Sequence, residues 1–150
     1  MQKRQHAKAF DWPEPANEFL RLYARTEGAL KQGGHLKQRK LAYADWDSLA
    51  RSLGQKFFES VRDSGNANTL ILEPPRRRMK DGLRFQPDKP PAIGTTEQLF
   101  QRGVCQVRHN LSHGDKFDVS GAGWDRDVAL VTESLWVLKS ALEWNKAVRR

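Results

Sequence analysis

The sequence predicts an all-α fold: an antiparallel up-and-down four-helix bundle with a Pro/Arg-rich insertion between its second and third helices. Apolar residues recur with a helical period in four separate segments, and short to medium connections of the kind found in bundles join them. The chain has 150 residues, which is the size of one domain. We therefore expect a flexible arm over residues 1–15 and a single helical domain over residues 16–150.

The first two helices are predicted from apolar stripes and from residues that start or stop a helix. The first begins at Ala16 and ends at Gly33. The second spans Trp46 to about Val61, with Asp45 as its N-cap. Each stripe lies on one helix face: Phe19, Tyr23, Thr26 and Leu30 in the first helix, and Trp46, Leu49, Leu53 and Phe57 in the second.

The third and fourth helices follow the insertion. Thr95 and Gln98 have the spacing of a capping box at the start of the third helix, which we expect to end at about His113, before Gly114. Residues 114–124 are then a Gly-rich loop, and Asp125 caps the fourth helix. The apolar faces are Phe100, Val104, Val107 and Leu111 in the third helix, and Val128, Val131, Leu135, Leu138 and Leu142 in the fourth.

The insertion over residues 63–94 contains five of the seven prolines and the densest basic run. We expect a short hairpin in it, with Thr69–Leu72 as one strand, Leu83–Gln86 as the other, and a turn at Gly82. Cations in a loop can follow an RNA backbone, because phosphate contacts supply most nonspecific affinity; a solvated basic loop is the alternative. The candidate RNA-binding residues are Arg76, Arg77, Arg78, Lys80, Arg84 and Lys116.

Composition narrows the class of protein. The net charge of +8 and the pI near 9.9 favour a polyanionic partner, nucleic acid first. Cys105 is the only cysteine, so an internal disulfide and a cysteine-based structural zinc site are excluded. The sequence has neither an apolar run of transmembrane length nor the pattern of a secretory signal, and we expect a cytoplasmic protein without membrane partners.

The end of the third predicted helix holds a polar cluster: Arg108, His109, Asn110 and His113. On a helical wheel, both histidines face away from the apolar stripe. Arginine offers a bidentate fork for a phosphate, and histidine can exchange a proton near neutral pH, so the cluster suits phosphodiester cleavage. Two alternatives remain open: a metal site at the i, i+4 histidines, which lacks an obvious third ligand, and a solvated basic helix end.

The cluster resembles the R-x4–6-H motif of the HEPN superfamily, in which Arg108 and His113 match the two defining positions. The segment VRHNLSHGDKF is similar to the VRNNLFHG-type segment of abortive-infection-like HEPN proteins. Phe19–Lys31 resembles their first-helix pattern. His109 occupies a variable polar position at which Asn is commoner, and Asn110 matches a frequent neighbour.

The resemblance implies a helical dimer that places two motifs across one cleft, in a composite active site without a metal or cofactor. It implies an endoribonuclease that produces 2′,3′-cyclic phosphate and 5′-OH ends in phage defence, abortive infection or a toxin–antitoxin system, for which a cognate antitoxin or defence-system protein is a candidate partner. We expect His113 to exchange protons, Arg108 to hold the phosphate, His109 and Asn110 to position groups, and Glu27 to offset the charge of two facing Arg108 side chains. The alternative is an inactive HEPN dimer that binds RNA, nucleotides or a protein.

Other aromatic and thiol groups have simpler interpretations. Trp46, Trp136 and Trp144 lie on or beside apolar stripes, and we expect them to pack rather than to stack on bases. Trp124, in the predicted loop after the motif, is the most open to a functional role. Cys105 is expected to pack, because no base is placed to activate it.

Overall fold

The computed structural model describes residues 14–78, 85–86, 89–112 and 121–149, with side chains described within 14–76, 89–112 and 125–145. The described chain is mostly helical. The helices are α1 (Pro15–Gln32), α2 (Trp46–Leu53), α3 (Gln55–Ser64), α4 (Asn68–Leu72), α5 (Thr96–Gln98), α6 (Cys105–Ser112) and α7 (Gly121–Arg149), with a π-helical segment, Leu99–Val104, joining α5 to α6. Two strands of two residues each, β1 (Arg77–Arg78) and β2 (Phe85–Gln86), pair antiparallel.

The first helix agrees with the prediction from its apolar stripe. α1 begins at Pro15, one residue before the expected start, because proline is well tolerated in the first turn of a helix, where its missing N–H would have no partner. All four members of the predicted stripe, Phe19, Tyr23, Thr26 and Leu30, are buried. α1 packs along α7, and Tyr23 also stacks on Trp46 of α2.

The second helix was predicted to run without a break from Trp46 to about Val61. The structure corrects this, because the segment forms two helices, α2 and α3. Gly54 separates α2 from α3 with φ +78° and ψ 173°, a backbone region that is essentially confined to glycine. The predicted N-cap is confirmed, because Asp45 Oδ1 accepts a hydrogen bond from the Ser48 amide at 3.1 Å. The break turns the chain but keeps the predicted apolar stripe buried, including Phe57 at 1% exposure.

The insertion differs from the predicted hairpin. Residues 69–72 belong to the helix α4, so the prediction of a strand there is wrong; a short apolar run does not by itself distinguish a strand from a buried helical turn. The predicted partner strand is present at Phe85–Gln86, but it pairs with Arg77–Arg78. Gly82 lies outside the described residues.

The third predicted helix is continuous but locally wider. The Thr95 cap is confirmed, since Thr95 Oγ1 accepts from the Gln98 amide at 3.1 Å. The π-helical segment was not predicted; such segments insert an extra residue in an α-helix and are frequent at functional sites. A Cβ on Gly103 would lie 3.3 Å from the Leu70 side chain, so this glycine allows α4 to approach closely.

The last helix starts earlier than expected. α7 begins at Gly121, so the expectations that Asp125 caps it and that Trp124 lies in a loop are wrong; the remainder of that expected loop, and His113 and Gly114, lie outside the described residues. The predicted face is buried at Val131, Leu135 and Leu138, and Val137 and Ser134 on other faces are also buried. α7 is therefore covered on several sides and contacts α1 and α4 most extensively.

Aromatic rings link the helices at the centre of the core. Trp46 stacks on Tyr23 with ring centroids 4.7 Å apart and on Phe100 at 5.8 Å. Phe57 continues the row to Phe100 at 6.2 Å and meets Trp144 edge-on at 5.6 Å. This packing confirms the expectation for Trp46, and Trp136 and Trp144 pack partly buried against the same core.

None of the described helices combines the length and the apolar character that a membrane span requires.

Candidate active site

The motif lies on α6, whose residues divide between core and surface. Val107 and Leu111 are buried, Arg108 is half-buried, and His109 is exposed, as the wheel predicts for a helix with one apolar stripe. Asn110 is only 7% exposed, which the placement on the flank of the wheel did not anticipate. The second motif residue, His113, lies outside the described residues, directly after Ser112, the last residue of α6.

Arg108 is held against the aromatic core. Its guanidinium carbon lies 5.4 Å from the centroid of the Tyr23 ring, within the range of a cation–π contact. Tyr23 is itself fixed by the stack on Trp46. A guanidinium that rests on a rigid ring loses few rotamers when it binds a phosphate, so this contact orients Arg108 for anion binding.

The Tyr23 hydroxyl and the Cys105 thiol lie close enough for each to shift the pKa of the other. Burial raises the pKa of Cys105 to about 12, and the Tyr23 hydroxyl partly opposes that rise. Burial, reinforced by Cys105, also raises the pKa of Tyr23 well above its ordinary value. Both groups are therefore neutral at physiological pH, and this supports packing rather than nucleophilic chemistry for Cys105.

Glu27 lies one turn after Tyr23 on α1, near the same groups. The negative charge of Glu27 raises the pKa of both Tyr23 and Cys105, whereas the positive charge of Arg108 lowers both. Glu27 and Arg108 thus flank Tyr23, and among the described side chains no ion pair joins the two directly. The structure brings the predicted acidic neighbour, Glu27, into the vicinity of the motif without an ion pair to Arg108.

Asn110 links the motif helix to the basic run. Its Nδ2 donates to the Arg76 carbonyl oxygen at 3.1 Å, and its Oδ1 accepts from Gln106 Nε2 at 2.8 Å. The first predicted RNA-binding residue, Arg76, is thereby placed beside α6. Because Asn110 is buried and its amide is bonded at both ends, the side chain is placed to hold the segment at Arg76.

The segment that leads to Arg76 is fastened to α7. Arg126 Nη2 donates to the Glu73 and Pro74 carbonyl oxygens at 2.8 and 3.1 Å. Pro74 and Pro75 are buried, and the Leu70 amide donates to Glu133 Oε1 at 2.9 Å. The base of the basic run is therefore a fixed part of the fold, although it comes from a proline-rich stretch.

The other predicted RNA-binding residues are described in part. The backbone of Arg77 and Arg78 forms β1, next to Arg76. Lys80, Arg84 and Lys116 lie outside the described residues. Within the described part of the chain, no group of three His, Cys, Asp or Glu side chains is placed to hold a metal ion.

A cleft beside Tyr23 was not predicted. It has a volume of about 300 Å³ and is lined by residues of α1, α2, the π-helical segment, α6 and the loop before α2: Tyr23, Glu27, Lys37, Tyr43, Ala44, Trp46, Asp47, Gln101 and Cys105. The lining combines aromatic rings, two carboxylates, an amide and one lysine. These residues are far apart in sequence, and the only local signal is Tyr43 next to the basic segment KQRK.

Comparison of the chain with protein-family models, with curated proteins and with solved structures finds no match.

Proposed function

We propose that this protein is a metal-independent endoribonuclease of the HEPN type that acts as a homodimer with a composite active site. In this proposal α1, the α2–α3 pair, the helix from α5 to α6, and α7 are the four helices of an antiparallel bundle. The setting is phage defence, abortive infection or a toxin–antitoxin pair in the cytoplasm, where a cognate partner restrains the enzyme.

One observation carries the proposal: α6 holds both Arg108, whose half-buried guanidinium rests on Tyr23 of α1, and Asn110, which bonds to the basic segment at Arg76. A cation held on a rigid ring suits the scissile phosphate, and a basic segment fixed to the same helix suits the flanking backbone. The sequence motif and the start of the basic run, read separately as two features, are attached to one helix.

The reaction is an internal transfer at phosphorus. The ribose 2′-oxygen forms a bond to the adjacent phosphorus, the bond from phosphorus to the 5′-oxygen breaks, and the products are a 2′,3′-cyclic phosphate and a 5′-OH. His113 of one protomer accepts the 2′-OH proton, and the partner subunit's His113 donates a proton to the leaving 5′-oxygen. General acid–base catalysis of this kind contributes roughly 10²–10⁴-fold.

The remaining residues hold the reacting groups. Arg108 binds the phosphate and stabilises the charge that develops on its free oxygens. His109, exposed on α6 next to Arg108, positions the phosphate or the ribose. Asn110 positions the basic segment through the Arg76 carbonyl. Glu27 offsets the repulsion between two Arg108 side chains in the dimer cleft.

The test is cleavage of total cellular RNA in EDTA by the purified protein and four variants. Wild type is expected to cut, whereas Arg108→Ala and His113→Ala lose about 10²-fold or more. Arg108→Lys keeps the charge beside Tyr23 but loses the bidentate fork, so it is expected to recover only part of the activity. Arg21→Ala, which removes an exposed arginine on α1, is the matched control and is expected to cut as wild type does.

Cleavage that depends strictly on added divalent cation would contradict the proposal and favour a metal site at His109 and His113. RNA binding without cleavage by any of these proteins would favour the noncatalytic HEPN module instead.

A further inference from the structure

The cleft beside Tyr23 is rich in hydrogen-bond acceptors. Gln101 donates its Nε2 to Asp47 Oδ2 at 3.0 Å, which leaves the Gln101 carbonyl oxygen as an acceptor. Asp47 Oδ1 is buried, and no described residue donates to it. Glu27 adds a second carboxylate to the lining. A buried carboxylate oxygen without a donor is unfavourable, and a rotation of the Asp47 side chain that turns Oδ1 toward the cleft would let it accept an N–H group of a ligand.

The wall of the cleft formed by the loop before α2 has the opposite character. An antiparallel bridge between Leu36 and Ala44 closes this loop, and the Lys37 amide donates to the Tyr43 carbonyl at 2.9 Å. Tyr43 is 47% exposed and lines the cleft, with the Arg39 guanidinium carbon 5.8 Å from its ring centroid. The loop therefore offers an accessible aromatic ring surrounded by cations.

The acceptor-rich wall and the wall that carries an aromatic ring and cations together match a nucleotide of single-stranded RNA. Proteins recognise unpaired bases by stacking them on aromatic rings and by hydrogen bonds to the Watson–Crick edge, and lysine and arginine bind the phosphates. The cleft volume, about 300 Å³, lies at the lower end of the range of small-ligand pockets. Both Arg108 and this cleft contact Tyr23, so a base in the cleft lies close to the proposed scissile phosphate.

Among the four bases, guanine fits the lining best. Its Watson–Crick edge presents two adjacent N–H donors beside one carbonyl oxygen. A carboxylate accepts both donors side by side, because it has two acceptor oxygens. Lys37, the only cation in the lining, supplies a donor for a carbonyl. Uracil presents one N–H between two carbonyl oxygens and leaves an acceptor unpaired.

We infer that the cleft lined by Tyr43, Asp47 and Gln101 binds a guanine base of the RNA substrate and sets the cleavage site. This inference rests on the proposed ribonuclease function and names the base that the enzyme recognises in its substrate. The base occupies the acceptor-rich wall, and Lys37, Arg39 and Lys40 of the loop contact the phosphates beside it. Neither charge pattern nor motif in the sequence places these residues together.

The direct test is calorimetric titration of the full chain with guanosine, adenosine, cytidine and uridine 5′-monophosphates. The guanosine nucleotide is expected to bind roughly tenfold more tightly than the uridine nucleotide, the discrimination typical of one bidentate base contact. Asp47→Asn replaces an acceptor oxygen with a donor and is expected to remove this preference. Asp63→Asn alters an exposed carboxylate paired with Arg62, outside the cleft, and is expected to bind as wild type does.

A second variant separates recognition from folding. Tyr43→Leu keeps an apolar side chain at a half-exposed position, so the fold is retained, and it is expected to weaken all four nucleotides by a similar factor of about five to tenfold through lost stacking. Equal affinity of wild type for the guanosine and uridine nucleotides, or an unchanged preference in Asp47→Asn, would overturn the inference.

Mapping the cut ends in an RNA of random sequence distinguishes this inference from the proposed function. Enrichment of guanine at one position next to the cut, lost in Asp47→Asn while cleavage persists, supports both. Cleavage without any base preference supports the ribonuclease and overturns the guanine site. Selective binding of the guanosine nucleotide by a protein that cuts no RNA supports the site and argues against the nuclease.

Discussion

Asn110 Nδ2 donates a hydrogen bond to the Arg76 carbonyl oxygen across 34 positions of sequence, at 3.1 Å. This bond joins the motif helix α6 to the start of the basic run. The other end of the same amide is held by Gln106, one turn earlier. A polar residue of the motif thus supports the surface around Arg76 from within the fold.

Asn110→Ala is expected to loosen that surface. It leaves the Arg76 carbonyl and the Gln106 amide without this partner, and the loss of buried hydrogen bonds costs about 1–3 kcal/mol of unfolding free energy. Urea denaturation measures the stability, and hydrogen exchange measures the opening of residues 76–78. Asn17→Ala, at an exposed position on α1, is the control; equal stability and equal exchange in the two variants would contradict the role given to Asn110.

Arg76→Glu is expected to flatten the salt dependence of RNA binding. Each phosphate contact with single-stranded RNA contributes about 0.7 to the slope of log affinity against log salt, so the slope falls by about that amount if Arg76 contacts one phosphate. Binding of a labelled single strand across a salt series measures it. Arg21→Glu makes the same charge change on the exposed surface of α1; an identical slope in both variants would remove Arg76 from the RNA interface.

Alkaline pH is expected to destabilise the fold through Cys105 and Tyr23. Burial raises the pKa of Cys105 to about 12 from an ordinary value of 9.0, so the folded state retains a proton that the unfolded chain releases. The stabilising contribution is complete below pH 9.0 and is lost as the pH rises towards 12. Tyr23 shifts in the same direction and adds to the loss.

Thiol labelling reports this proton directly, because the chain has a single cysteine. At pH 8 the native protein is expected to react with iodoacetamide far more slowly than the urea-unfolded protein, since the thiolate is the reacting form. Equal labelling rates in the two states would show that Cys105 is neither buried nor protonated as the structure requires.

Gly54→Ala is expected to lower the unfolding free energy by about 1–3 kcal/mol, because a Cβ is strained at the φ of +78° that separates α2 from α3. No atom lies within 4 Å of the added Cβ, so the effect comes from the backbone alone. Gly28→Ala, within α1 and equally open, is expected to stabilise by about 0.5–1 kcal/mol. Thermal unfolding of both compares them, and a stabilised Gly54→Ala protein would contradict the assigned backbone conformation.

The helices that the sequence predicts best are those in which one period continues without interruption. The stripe from Phe19 to Leu30 and the caps at Asp45 and Thr95 depend on residues within a few positions of each other, so local pattern suffices. Gly54 preserves the apolar stripe while turning the chain, so periodicity does not reveal the break. The π-helical segment is likewise not visible in the periodicity, and the close approach of Leu70 to Gly103 within it is a contact that no local pattern contains.

The same distinction applies to the candidate site, in which some features follow from the local sequence pattern and others depend on tertiary packing. The outward position of His109 follows from the helical period. The burial of Asn110 depends on Arg76 in another segment, and the contact of Arg108 with Tyr23 depends on the packing of α1 against α6. The cleft with Tyr43 and Asp47 requires the loop, α1 and the π-helical segment together, so it emerges only in three dimensions.

Analysis of the ends left by RNA cleavage in EDTA tests the central claim most directly. We expect 2′,3′-cyclic phosphate and 5′-OH ends from the wild-type protein, product reduced about 10²-fold or more for Arg108→Ala and His113→Ala, and no cut where a 2′-deoxynucleotide replaces the nucleotide before the scissile bond. Ends that carry a 3′-OH and a 5′-phosphate, or cutting next to the 2′-deoxynucleotide, would show that the 2′-OH is not the nucleophile and would contradict the account.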